Sequence, residues 1–207
     1  MKIPMNRNDR LYSHFAICAA VLATGAAVES ANAAVIYSAI LNYAVPTTST
    51  GHYLNVQTTV GGASGAVSGW DVNLFGNSIA AISLYAASGT GYMRNPGAGF
   101  ATAATRLDDG TEVGSSAYFY GGTSATIGTG IGKWSANSTG YFGFKFKAAD
   151  NLTHYGWMQL SIGANAGTRS IVRYAWESTA GASIVIPAPG AMALLGLAGF
   201  AKRRRRA

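Results

Sequence analysis

The chain has 207 residues, a formal charge of +7 and 49% hydrophobic side chains. The charge excess belongs to the two ends: residues 34–186 carry seven cations (Arg94, Arg106, Lys133, Lys145, Lys147, Arg169, Arg173) against six acids (Asp71, Asp108, Asp109, Glu112, Asp150, Glu177), a net +1 that excludes a nucleic-acid or anionic-lipid surface. The single cysteine, Cys18, precedes that segment, which therefore has no disulfide, no thiolate nucleophile and no cysteine metal site.

At the N-terminus, Lys2, Arg7 and Arg10 form a basic stretch, and Phe15 to Val28 forms an apolar run of fourteen residues. Ala31-Asn32-Ala33 follows as an A-x-A cleavage site. This order predicts a signal-peptide helix over 1–33, cut between Ala33 and Ala34. The run falls short of the ~20 apolar residues that a stable membrane span needs.

Residues 34–186 read as strands broken by Gly and Ser turns. Val35 to Leu41 and Tyr53 to Val60 are the first two candidates. Trp70 to Phe75 and Ile79 to Ala86 form a predicted hairpin about Gly76-Asn77. Ser116 to Tyr120 follows. Gly-rich segments at Gly61 to Gly69, Gly89 to Gly99 and Gly121 to Gly132 separate these candidates.

The clearest period-2 pattern is Tyr141 to Lys147, with Phe142, Phe144 and Phe146 on one face and Lys145 and Lys147 on the other. His154 to Ile162 alternates next, placing Met158, Leu160 and Ile162 opposite Tyr155, Trp157 and Gln159. In Ser170 to Glu177, Val172, Tyr174 and Trp176 oppose Ile171, Arg173 and Glu177. Three such strands joined by short loops predict an antiparallel meander. Trp70 and Trp176 are assigned to the core. No helix period and no fixed repeat is visible between the ends. The predicted fold class is all-β: a two-layer antiparallel β-sandwich, jelly-roll-like, over 34–186. The signal-peptide helix and a short apolar helix in a tail over 187–207 flank it.

Candidate chemistry in the body is sparse. Asp108-Asp109-Gly110-Thr111-Glu112 reads first as a turn, with a weak Ca²⁺ loop or one carboxylate of a glycosidase pair as the alternatives. His52 and His154 lie in no metal-binding spacing, and no G-x-S-x-G element occurs. No catalytic residue, metal or cofactor is assigned. Tyr155, Trp157 and Gln159 share a strand face, with Lys145 and Lys147 on the same side of the neighbouring strand. Flat rings and an amide could contact a glycan there, or the rings could simply pack under a loop. An enzyme would have to assemble dispersed carboxylates such as Asp71, Asp150 and Glu177.

The last twenty-one residues run from Pro187-Ala188-Pro189-Gly190 through the apolar Ala191 to Ala201 to Lys202, Arg203, Arg204, Arg205 and Arg206. Eleven apolar residues are too few to cross a bilayer comfortably, and the cations behind them resist translocation. The tail resembles the PEP-CTERM sorting signal of bacteria, with Ala188 standing where that family most often has Glu. The body segments Y-F-G-F-K-F-K, H-Y-G-W and Y-A-W-E, together with Trp70-Asp71-Val72-Asn73, are similar to motifs of the same family. The resemblance implies export through the Sec translocon, transient anchoring in the inner membrane and removal of the tail by an exosortase. It implies a final place at the cell surface or in the extracellular matrix, with exopolysaccharide as a candidate partner. The expected function is a structural or adhesive envelope component rather than an enzyme. The alternative is a secreted carbohydrate-binding or carbohydrate-active protein.

Overall fold

A computed structural model of the chain describes residues 34–76, 78–94, 103–121, 125–128 and 133–188. The expected signal peptide with Ala31 and Ala33, the tail from Pro189 and Gly190 through Lys202, Arg203, Arg204, Arg205 and Arg206, and both expected terminal helices lie outside the described residues. Among the described residues the chain is all-β, with three antiparallel sheets and no helix.

In chain order the strands are β1 (Val35–Tyr37), β2 (Tyr43–Ala44), β3 (His52–Leu54), β4 (Gly61–Gly62), β5 (Val72–Phe75), β6 (Ala81–Ala86) and β7 (Gly91–Met93). They continue with β8 (Glu112–Val113), β9 (Phe119–Tyr120), β10 (Ala125–Gly128), β11 (Ser138–Lys147), β12 (Thr153–Ile162), β13 (Arg169–Glu177) and β14 (Ile184–Val185). The largest sheet is seven-stranded, in the order β1-β13-β12-β11-β7-β9, and β2 also pairs with β13. A five-stranded sheet runs β10-β6-β5-β3-β4, and β14 pairs with β8 alone.

The predicted meander forms the frame of the large sheet. β11 pairs with β12 in a register that sets Phe142 opposite Met158 and Phe146 opposite His154. Phe142, Phe144 and Phe146 are fully buried, each worth ~1.5–3 kcal/mol of transfer free energy. Their packing explains a glycine. A Cβ on Gly156 would stand 2.6 Å from Phe144 Cζ and 2.7 Å from the Ala175 carbonyl, so only a bare Cα lets the Phe144 ring lie across β12. The turn from β11 to β12 is closed by local polar groups. Asp150 Oδ1 accepts from Leu152 N at 2.9 Å, and Asn151 takes a φ of 65°, a conformation Asn tolerates well.

One face assignment in β13 is corrected. The register slips between Gln159 and Leu160, so that Leu160 faces Ile171 while Gln159 faces Arg173. Val172 is thus the extra residue of a β-bulge, and a bulge shifts the alternation by one. The core-facing set is Ile171, Tyr174 and Trp176, and Val172 is only half-buried. The bulged carbonyl is used: Val172 O accepts from Leu41 N at 2.8 Å and holds the loop after β1.

In the five-stranded sheet the predicted hairpin is present as β5 and β6, with Phe75 opposite Ser83 and Gly76 at a φ of 122°. Asn77 of its turn lies outside the described residues. The strand expected over Tyr53 to Val60 stops at Leu54, because Asn55 folds the chain back on itself. Its Oδ1 accepts from Gln57 N and Thr58 N, both at 3.0 Å, in an Asx-type turn. The Gly-rich separators are not plain loops: they contain β4, β7 and β10.

One apolar cluster holds buried side chains of both large sheets, among them Leu54, Leu74 and Leu84 from one and Phe144, Leu160 and Tyr174 from the other. Arg169 ties the loops at its rim. Only 5% exposed, it donates to the carbonyls of Val45 (3.2 Å), Pro46 (2.7 Å), Ala166 (3.0 Å), Ser78 (3.4 Å), Ala81 (3.4 Å) and Gly76. Burial pulls its guanidinium below its ordinary range, yet arginine retains its charge in proteins. Here carbonyl dipoles stand in for a carboxylate.

Candidate functional site

The outer face of the meander, turned away from the shared cluster, carries the residues expected to contact a glycan. Tyr155, Trp157 and Gln159 do alternate onto one face of β12, and Lys145 lies directly opposite Tyr155 on β11. The structure then separates them. Trp157 is 0% exposed and Tyr155 is 7% exposed, so neither ring offers a face to a sugar. They belong to a second apolar cluster with Leu107, Val113, Ala175, Ile184 and Ile186. The small β8–β14 pair contributes Val113 and Ile184 to it and covers this part of the face. A Cβ on Gly143 would come within 2.9 Å of both Val113 methyls, so that glycine lets the cover down onto β11. Of the two sequence alternatives, packing holds for the rings.

Gln159 lies beyond the cover, in a groove of about 420 Å³. Three strands deliver its floor. Tyr141 on β11 faces Gln159 on β12, which faces Arg173 on β13. The row is joined by hydrogen bonds: Gln159 Nε2 donates to Tyr141 OH at 3.0 Å, and Arg173 Nε donates to Gln159 Oε1 at 3.0 Å. The wall is the segment Arg106 to Asp109, fixed to β11 through the Leu107–Tyr141 bridge. Arg106 Nη2 donates to Thr139 O at 3.4 Å, and Asp108 pairs with Lys133 at 3.8 Å. Asp108-Asp109-Gly110 is the turn its sequence predicts, closed by Thr111 N on Asp108 O at 3.1 Å with Gly110 at a φ of 78°. A groove with two guanidiniums, two carboxylates, a phenol and an amide can hold a polar ligand by hydrogen bonds. It contains no nucleophile beside a base.

Asp71, Asp150 and Glu177 are committed elsewhere, and none of them lines this groove. Asp71 is buried and accepts from Val56 N at 2.8 Å; burial pushes its carboxyl up to about 6 against the lowering effect of that bond. Asp150 is held below the usual carboxylate range by Leu152 N first and by His154 second. Glu177 is buried and caps the next turn, its Oε1 accepting from Thr179 N at 2.9 Å. His154 is clamped between Asp150 Oδ2 (3.0 Å) and the Glu177 carbonyl (2.9 Å). His52 is buried and stacked on Tyr43 at 4.9 Å, and burial lowers its pKa. Among the described residues no group of three or more His, Cys, Asp or Glu side chains could hold a metal ion.

Arg106, Tyr141 and Arg173 escape strand-by-strand reading. Tyr141 and Arg173 were within reach of it, since aligning the three alternating segments around Gln159 places them in one row; Arg106, in an irregular segment, carries no such signal. Comparison with protein families, curated proteins and solved structures finds no match for this chain.

Proposed function

We propose that this is an exported, surface-sorted bacterial protein whose body serves as a structural or adhesive component of the cell envelope or exopolysaccharide matrix. The body is a two-layer antiparallel β-sandwich of jelly-roll type, consistent with an apolar cluster fed by both large sheets. Residues 1–33 act as a signal peptide, and residues 187–207 act as a PEP-CTERM-like sorting tail that an exosortase removes. The observation that carries this is the order Pro187-Ala188-Pro189-Gly190, apolar run, Lys202 to Arg206, combined with an A-x-A leader at the other end. A further support is where the cuts would fall. Ala34 is exposed and immediately precedes β1, while β14 ends at Val185 just before the half-buried Pro187. Both cuts spare the strand framework.

Peptide mapping of the mature protein from its native host tests this. The expected products begin at Ala34 and lack Arg203 to Arg206; an intact tail recovered in the membrane fraction overturns exosortase processing. The carbohydrate-active alternative has less support, because Asp71, Asp150 and Glu177 each accept a hydrogen bond from a main-chain amide.

A further inference from the structure

The five-stranded sheet presents a second hollow, of about 340 Å³, on the face opposite to its core side chains. The register sets Tyr53 on β3, Asn73 on β5 and Tyr85 on β6 side by side. Two strand spacings separate the tyrosines, ~10 Å. Trp70, expected in the core, is instead half-buried here, 4.9 Å from Tyr53 and 5.2 Å from Tyr85 between ring centroids. Phe75 and Ser49 complete the lining, and no charged side chain contributes to it.

Between the tyrosines lies an orphaned acceptor. Asn73 is 2% exposed and lines the hollow; its Nδ2 donates to Thr50 O at 3.0 Å, but its Oδ1 has no partner among the described residues. A buried acceptor left unpaired costs ~1–3 kcal/mol, a penalty that a ligand's hydroxyl would relieve. Aromatic rings covering a sheet face can be purely structural cross-strand neighbours. The unpaired amide oxygen between them is what such a role leaves unexplained.

We infer that Tyr53, Trp70, Asn73 and Tyr85 form a binding platform for a neutral glycan. Half-exposed rings suit the apolar faces of pyranose rings, and the Asn73 amide and tyrosine hydroxyls suit their hydroxyl groups. The absence of charge from the lining disfavours an acidic polysaccharide or a charged peptide. The spacing of the tyrosines favours a chain over a single sugar. The platform deepens the matrix-component reading and rests on it for its biological setting, although binding itself can be measured apart from export.

The test is affinity electrophoresis of the purified full chain in gels cast with dextran, hydroxyethyl cellulose, xyloglucan or galactomannan, with alginate as the anionic comparison. At least one neutral polymer should retard the protein, and the Tyr53→Ala/Tyr85→Ala double variant should raise the apparent Kd ~10-fold or more, as for interface anchors. A matching thermal melt shows that the variant is folded. Trp70→Phe, which keeps an aromatic ring, supplies a second readout. Trp134, Trp157 and Trp176 are buried, so a fluorescence change on binding should come from Trp70 and vanish in that variant. No retardation by any neutral polymer, retardation by alginate alone, or binding that survives the double variant would overturn the platform. None of these outcomes bears on export, which peptide mapping decides separately.

Discussion

The two large sheets treat their second faces differently. In the seven-stranded sheet β12 is buried on both sides across its centre, from His154 to Met158, because the β8–β14 pair covers what the shared cluster does not. In the five-stranded sheet β6 alternates strictly between buried and half-buried residues, and its outer face carries Tyr85 beside Asn73 and Tyr53. Both segments alternate in sequence. Alternation specifies that a strand has two distinct faces, and says nothing about what lies over the second one. That depends on pieces remote in the chain.

The largest expected effect concerns the side chain joining the loops of the two sheets. Arg169→Met leaves six carbonyls without their donor and should cost ~3–5 kcal/mol in urea unfolding, as for breaking a buried charged network. A cost below ~1 kcal/mol would mean that the loops hold themselves. Next comes the covered face. Trp157→Ala opens a cavity beneath β8 and β14 and should cost ~3–5 kcal/mol by the same measurement.

A third prediction concerns pH. The folded pKa of Asp71, about 6, lies above its ordinary value of 3.8. Its contribution to stability is therefore fully present below about 4 and is lost as pH rises through about 6, a change of about 3 kcal/mol. Asp71→Asn, whose amide oxygen can still accept from Val56 N, should remove this component from the curve of unfolding free energy against pH. If the two curves run parallel between those limits, Asp71 is not the source. The smallest effect belongs to the open face. Tyr85→Ala should cost under ~1 kcal/mol, so the ratio of the Trp157 and Tyr85 effects measures how unequally the two faces are covered.

What could be read in advance follows the same division. β11, β12 and β13 were legible because they are nine or ten residues long with period-2 alternation over part of each, and their short loops leave little choice of partner. The β5–β6 hairpin was legible from the Gly76-Asn77 turn signal between two short alternating segments. β8 and β14 have two residues each and are far apart in sequence, so no local pattern marks them. Missing them left open whether Tyr155 and Trp157 contact a glycan or pack under a cover. The bulge at Val172 was equally hidden, because a one-residue slip is invisible until the partner strand is in place. Trp70 went astray for a simpler reason: size and apolarity suggested the core, but the residue precedes β5 and lies against the two outer tyrosines. Asp108-Asp109-Gly110 was read correctly because its turn chemistry is local.

The most direct test of the unequal faces is hydroxyl-radical footprinting of the native protein, read residue by residue by mass spectrometry. Tyr53, Trp70 and Tyr85 should oxidise readily while Tyr155 and Trp157 stay protected until unfolding. Equal rates for the two groups, or faster oxidation of Trp157, would contradict the assignment of one covered and one open face.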